Sequence, residues 1–353
     1  MTPFSIGITR DFLNPDGSMT YKDIGLGLIE RAGLRWRWLD ERREVVGADQ
    51  LTGLDAVLSL TPRWSAASVA GTGQLLAVAR FGVGYDMCDV PALSAAGVAL
   101  TLAVGATDAP VAGGVLAMML ALTRKLLLKD RLVRSGRWAE RAQHQGQELT
   151  GATLGIVGLG GAGKALRALV RPFGMRVLAF DPVVSDQVLR ELEVERATSL
   201  AELFAQSDHV SLHCPLNDRT RGMIGEELFA QMKPTAYFYN AARGGIVVER
   251  ALIAALESHR IAGAGLDVFE QEPPSLDNPL LAMDQVIVTP HALCWTDACF
   301  QAIGETAVRS LISLSRGERP LGLVDPGVWA HPGFQQRLAA RVSASPRSER
   351  ARA

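Results

Sequence analysis

The chain has 353 residues, enough for about two domains at roughly 150 residues each. A hydrophobic content of 48% and a charged content of 21% exclude global disorder. Lys plus Arg is 36 against 37 Asp plus Glu, and the net charge of -1 excludes the basic excess of a general nucleic-acid binder.

Residues 1–10 have neither a basic n-region nor an apolar h-region, so no secretory leader is expected. Ile6-Gly7-Ile8 reads as a first strand. Residues 21–32 have helical spacing and run to Gly33, a good C-cap residue. Residues 35–39 alternate like a strand, and 56–60, 75–80 and 98–101 are short apolar runs of the buried-strand type. Strands alternating with helices predict parallel sheet and an α/β class. The apolar segment 111–134 predicts one long helix, either joining two domains or lying at a subunit interface. Its most apolar part, 111–122, is too short to span a bilayer. A second alternation starts at Gly151, with strands at 154–157, 176–180, 209–213, 236–240, 262–268 and 286–289. Helices are expected at 162–170, 200–204 and 249–258, which completes a doubly wound unit of about six strands. From Arg337 onward, arginines among Ala and Ser predict a solvated, frayed tail.

Cys88, Cys214, Cys294 and Cys299 form no C-x-x-C pair and no zinc-finger spacing. No metal is expected, and four free thiols suit a reducing cytoplasm. With no leader, no membrane span and no basic excess, the expected partner is a small molecule rather than a membrane or a nucleic acid.

The most informative stretch is residues 153–163, where Gly158, Gly160 and Gly163 form G-x-G-x-x-G between a strand and a helix. That context is the one a dinucleotide fingerprint needs. Gly158 permits the tight turn, Gly160 lets backbone approach a pyrophosphate, and Gly163 lets the helix pack close to the sheet. The helix N-terminus adds free N–H groups and a positive dipole end. Asp181 ends the next strand, where a carboxylate accepts from a ribose and repels a 2′-phosphate. Pro182-Val183-Val184 brings no cation to offset it, so NAD is favoured over NADP.

Three later segments each follow a strand, at the end of the sheet where α/β active sites lie. Arg243, in Asn240-Ala241-Ala242-Arg243-Gly244-Gly245, can hold a carboxylate or polarise a carbonyl. Asp267 and Glu272 stand in a segment stiffened by Pro273-Pro274, and Asp267 can accept from a carboxamide. His291 follows Thr289-Pro290, and an imidazole suits reversible proton transfer near neutral pH. A partner Glu would favour its charged form. Any one of these fits an ordinary surface residue. Their order behind a dinucleotide loop is far more specific.

These motifs resemble the D-isomer-specific 2-hydroxyacid dehydrogenase family, from about Val78 to Thr296. The resemblance implies that Arg243 binds substrate, that His291 is the acid/base paired with Glu272, and that Asp267 orients the nicotinamide. It implies that Arg80-Phe81-Gly82-Val83-Gly84-Tyr85-Asp86 holds the substrate carboxylate on the backbone amides of Val83 and Gly84. His213-Cys214-Pro215-Leu216, Thr220 and Ala241 fall in its cofactor-binding set, and Gly136-Arg137-Trp138 resembles the turn before the cofactor strand. Some positions depart from the pattern. Gly161-Ala162 stand where the family usually carries Arg-Ile, which removes a side-chain contact to pyrophosphate. Ala292-Leu293-Cys294-Trp295 replace the usual small residues after the histidine, which puts Trp295 beside the substrate. Arg10, Arg63, Trp64 and Tyr85 are further loop candidates for substrate side-chain contacts.

The implied fold is two doubly wound parallel-sheet domains, a Rossmann NAD-binding domain (103–296) inserted into a flavodoxin-like substrate domain (1–102 and 297–330). Residues 331–353 are expected to be a flexible extension. The implied assembly is a homodimer through the long-helix region. The implied activity is NAD-dependent interconversion of a 2-oxo acid and a D-2-hydroxy acid, of the glyoxylate or hydroxypyruvate reductase kind. A larger or aromatic 2-oxo acid is the alternative substrate, and a non-catalytic NAD-sensing, protein-binding role is the alternative from another class.

Overall fold

The computed structural model describes residues 4–21 and 23–342. The chain divides into two compact units. One comprises the residues up to Thr107 together with those from Thr296 on, and the other is Asp108–Trp295.

The first unit opens with β1 (Ser5–Ile8), α1 (Leu26–Arg31), β2 (Arg35–Trp38), β3 (Ala56–Ser59), α2 (Ala66–Val69), β4 (Ala77–Arg80), α3 (Val90–Ala95) and β5 (Ala99–Leu102). The strands form one parallel sheet in the order β2-β1-β3-β4-β5. This is the flavodoxin-like order. Its central strands are buried along their length because helices cover both faces, so they read as apolar runs rather than alternations. The helix expected over 21–32 is shorter, because Gly25 takes φ +89 and packs on the Gly304 backbone before α1 begins.

The second unit contains α4 (Asp108–Thr123), α5 (Leu126–Arg134), β6 (Thr153–Val157), α6 (Gly161–Val170), β7 (Arg176–Phe180), α7 (Asp186–Glu191), β8 (Glu195–Arg196), α8 (Leu200–Gln206), β9 (His209–Leu212), α9 (Glu226–Gln231), β10 (Tyr237–Asn240), α10 (Glu249–Glu257), β11 (Gly263–Leu266) and β12 (Val286–Val288). All seven strands are parallel, in the order β12-β11-β10-β9-β6-β7-β8. The seventh is β8, whose two residues, Glu195 and Arg196, are exposed and carry no apolar signal. One face of the sheet packs Phe204, Phe229 and Phe238, and the other packs Met118, Met119 and Leu122 of α4 onto Leu154 and Ile156.

The single helix expected over 111–134 is two helices bent by 56°. Lys125 sits at φ 54 in the break. The Gln147 amide takes the Thr123 carbonyl at 2.8 Å, which satisfies the end of α4 from outside the helix. Gly146 permits that approach, since a Cβ there would lie 2.4 Å from the same carbonyl oxygen. Among the described residues no single helix is long and apolar enough to cross a membrane.

The first unit is completed by α11 (Asp297–Ser315) and α12 (Pro332–Val342). Residues 332–342, expected in a flexible extension, instead form a docked helix with Phe334 and Leu338 buried. The arginines that suggested a solvated tail hold it down. Arg337 donates to the carbonyls of Ala96 and Gly97, and Arg341 Nε lies 2.5 Å from Oδ1 of the fully buried Asp55. Residues 343–353 lie outside the described residues.

Arg341→Ala should therefore leave the buried Asp55 with the Ser5 amide and the charge of Arg35 but without its ion-pair partner. The expected cost is about 3–5 kcal/mol of stability, the usual result of breaking a buried pair from one side. Urea unfolding of the variant would measure it, and Arg341→Ala with Asp55→Asn should recover part of the loss.

Candidate active site

The glycine-rich loop leaves β6 at Val157 and turns at Gly158, which has φ +91. A Cβ at Gly158 would lie 2.7 Å from the Cys214 nitrogen, and one at Gly163 would lie 2.5 Å from the Gly158 carbonyl oxygen. A Cβ at Gly160 would meet nothing within 4 Å. Two glycines thus serve close packing, while the third leaves open space at the N-terminus of α6. That open cradle fits a dinucleotide pyrophosphate. Asp181, just past β7, ties the loop together. Its Oδ2 accepts from Leu159 N at 2.8 Å, and its Oδ1 accepts from Val183 N and Val184 N at 2.8 and 3.1 Å.

The segment 181–184 does have a cation beside it. Arg196, from β8, donates to the Asp181 and Val184 carbonyls and pairs with Asp186. Local sequence could not reveal this, because the parallel sheet brings Arg196 in from the next strand.

Three loops of the second unit converge on a single group of side chains. Asn240, buried at the end of β10, accepts from Ala242 N at 3.0 Å and donates to the Arg243 carbonyl at 2.9 Å. This pins the Arg243 turn. Arg243 Nη1 donates to the Ala242 carbonyl at 2.7 Å. At Gly244 a Cβ would lie 1.7 Å from the Phe269 carbonyl oxygen, so this loop rests directly on the backbone that leads to Glu272. Glu272 Oε1 accepts from Phe269 N at 3.1 Å, and Oε2 lies 2.8 Å from His291 Nδ1. Burial alone would raise the Glu272 carboxyl, but the hydrogen bond and charge of His291, with the Phe269 amide and the Arg243 charge, hold it below the usual range. His291 stands at φ 52, uncommon for a residue with a Cβ.

Asp267 holds the histidine loop. Its Oδ1 accepts from Thr289 Oγ1 at 2.6 Å, Ala292 N at 2.8 Å and Leu293 N at 3.0 Å, and its carbonyl accepts from His291 N at 2.8 Å. Burial pushes its carboxyl up despite these donors. Among the described residues Oδ2 receives only a shared bond from Leu293 N at 3.1 Å, which leaves acceptor capacity for a carboxamide. An open groove of about 410 Å³ runs beside the pair, lined by Phe269, Glu272, Pro274, Leu281, Val288 and His291.

The remaining expected site residues vary. His213, Cys214 and Pro215 follow β9, with Cys214 backbone against Gly158. His213 Nε2 bonds Ser211 Oγ at 2.9 Å, and burial pushes this imidazole down to about 4. Burial pushes the Cys214 thiol up to about 11, and among the described residues no disulfide joins Cys88, Cys214, Cys294 or Cys299. Thr220 turns its hydroxyl onto the Pro215 carbonyl at 2.7 Å and closes its own loop. Ala241 is half-buried beside Asn240, and Gly161-Ala162 form the first turn of α6. Trp295 is 53% exposed. In the first unit, Gly82 has φ +135, and the amides of Val83 and Gly84 donate to nothing among the described residues. Trp64 is no loop contact: it is buried in the core with Nε1 on Ser59 Oγ at 3.0 Å.

A family model described as D-isomer specific 2-hydroxyacid dehydrogenase, NAD binding domain, matches residues 116–292. A glyoxylate reductase from Korarchaeum cryptofilum is 38% identical over 320 residues, covering 88% of this chain and 96% of that protein. The chain belongs to the D-isomer-specific 2-hydroxyacid dehydrogenase family. Solved 2-hydroxyacid dehydrogenases share its fold. D-mandelate dehydrogenase from Rhodotorula graminis superposes with a TM-score of 0.80 at 25% identity, covering 92% of this chain and 98% of that one. D-lactate dehydrogenase from Aquifex aeolicus, solved with NAD and lactic acid, has a TM-score of 0.75 at 25% identity and covers 89% and 96%. As a member of the 2-hydroxyacid dehydrogenase family this chain is an NAD-dependent oxidoreductase, and the NAD-binding domain lies in its second unit.

Residues that sequence reading passed over are the supports: Asn240, Ser211, Thr289 and the Phe269 amide. Asn240, Ser211 and the Phe269 amide bond residues two or three positions away, whereas Thr289 reaches Asp267 from the neighbouring strand, a partner that only the sheet register brings close.

Two histidines, His209 in the core and the half-buried His213, set an acid limit on stability. Burial pushes both His209 and His213 down to about 4, against an ordinary value of about 6.5. Their folded pKa lies below the unfolded one, so the stability they contribute is present above about pH 6.5 and is lost as pH falls toward 4. Each is expected to cost up to about 3 kcal/mol over that window. Denaturant unfolding at a series of pH values should show the fall, and His209→Gln should flatten it.

Proposed function

We propose that the protein reduces a small 2-oxo acid, of the glyoxylate or hydroxypyruvate class, to the D-2-hydroxy acid with NADH. The observation that carries this reading is the 2.8 Å pair of His291 Nδ1 and Glu272 Oε2, in the same unit as the phosphate loop. With Nδ1–H given to the carboxylate, Nε2 is the atom that exchanges a proton with substrate. In the reducing direction His291 starts as the imidazolium, releases its Nε2 proton to the carbonyl oxygen and ends neutral. Glu272 stabilises the charged form before that release. NAD(H), when bound, supplies or accepts the hydride at the carbonyl carbon. Arg243 holds the substrate and offsets negative charge on its oxygen in the transition state. Val83 and Gly84 offer two backbone amides to the substrate carboxylate. Asp267 accepts from the nicotinamide amide, and Gly158, Gly160 and Gly163 with Gly161, Ala162 and Asp181 hold pyrophosphate and ribose. His213, Cys214, Pro215, Thr220 and Ala241 complete the cofactor's surroundings.

A second substrate class has one observation behind it. Trp295, four residues after His291, exposes an aromatic face that suits a larger or aromatic 2-oxo acid. We infer that the assembly is a cytoplasmic homodimer. Leu126, Leu127, Val133 and Trp138 of the second unit are all more than half exposed, an apolar patch suited to a second copy.

NADH oxidation against glyoxylate, hydroxypyruvate, pyruvate, phenylpyruvate and branched 2-oxo acids, with NADPH in parallel, tests the reading. Turnover of the small acids with NADH is expected; preference for phenylpyruvate would select the second class, and silence across the panel would sink both. His291→Asn should lower kcat by about 10²–10⁴-fold. Glu272→Gln should lower it less and shift the pH–rate profile, because the imidazolium loses its charged partner.

A further inference from the structure

Helices α4 and α6 begin side by side. Asp108 is the first residue of α4, and Gly161 is the first of α6. A Cβ built on Gly161 would fall 1.9 Å from Asp108 Oδ2 and 2.3 Å from its Cγ. The Asp108 carboxylate therefore occupies the room that any side chain at position 161 would need. Among the described residues no hydrogen-bond donor or cation pairs with it. Burial pushes its carboxyl upward, with no compensating partner.

An anion in that place has a physical consequence. The free N–H groups and positive dipole end of α6 favour negative charge. Asp108 already supplies one negative charge there. A pyrophosphate at the same helix end brings more, and like charges a few ångströms apart in partly buried surroundings repel by an amount worth a factor of ten or so in binding. Position 161 offers nothing to offset this, since Gly161 has no side chain.

We propose that Asp108 sets the enzyme's affinity for its cofactor: its charge opposes the pyrophosphate at α6, so the dinucleotide is held loosely and released readily. The proposal rests on the reading of Gly158–Gly163 as the pyrophosphate loop. It assigns a role in cofactor exchange to a residue that lies outside the fingerprint and outside the His–Glu pair.

Asp108→Asn keeps the shape and removes the charge. Fluorescence titration of the full-length enzyme should show NADH binding about tenfold more tightly in this variant. ADP-ribose, which keeps the pyrophosphate, should gain similarly as a competitor. Adenosine, which carries no phosphate, should be unchanged. Asp108→Ser should shift the same ligands in the same direction, which guards against a packing effect peculiar to Asn. Unchanged NADH binding in both variants overturns the proposal. Weaker binding also overturns it, since the carboxylate would then be a partner of the cofactor. An equal shift for adenosine would mean altered packing and overturn it too. A wild-type enzyme that binds no NADH would overturn the phosphate-loop reading itself, and the proposal with it.

Discussion

A single buried carboxylate organises the candidate site. Asp267 stands at the end of β11 and gathers Thr289, Ala292 and Leu293 onto its side chain, while its carbonyl takes the His291 amide. These bonds fix the loop after β12 from the neighbouring strand. They hold His291 in a left-handed conformation that an unsupported loop would relax. Glu272 then meets an imidazole whose direction is already set. The pairing therefore depends on two parallel strands in register, Leu266 opposite Val288, rather than on either loop alone.

Backbone contact at glycine does the corresponding work elsewhere. Gly244 lets the Arg243 turn rest on the Phe269 carbonyl, Gly158 lets the phosphate loop rest on Cys214, and Gly163 brings α6 onto that loop. The first two contacts join segments distant in sequence, and the third closes the loop on itself. At these three positions glycine lets backbone lie directly against backbone.

Much of this was legible before the structure. The strand, glycine turn and helix around Gly158, Gly160 and Gly163 were legible because an apolar run precedes the glycines and a helical pattern follows. Arg243, Glu272 and His291 were recognisable because each follows an apolar strand near Gly or Pro. The buried strands were legible for the same reason: parallel sheet covered on both faces leaves continuous apolar runs. What failed to show had no local signal. The break at Lys125 has no Gly or Pro beside it, since the chain ends α4 by donating Gln147 N to Thr123 from outside. Strand β8 is two charged residues. Arg196 reached Asp181 only through the β7–β8 pairing. Arg337 and Arg341 looked like solvated charge because their partners, the Ala96 and Gly97 carbonyls and Asp55, lie far away in sequence.

The docking of α12 also orders events in time. Asp55 is made early in synthesis, and its counter-ion Arg341 is among the last residues of the described chain. The whole of the second unit is translated between them. While the chain grows, the first sheet must wait with a buried-acid position open and α11 absent, whereas the second unit is contiguous and can fold as soon as it emerges. The inserted unit is thus the natural first folder, and the unit that contains the N-terminus is the last to close.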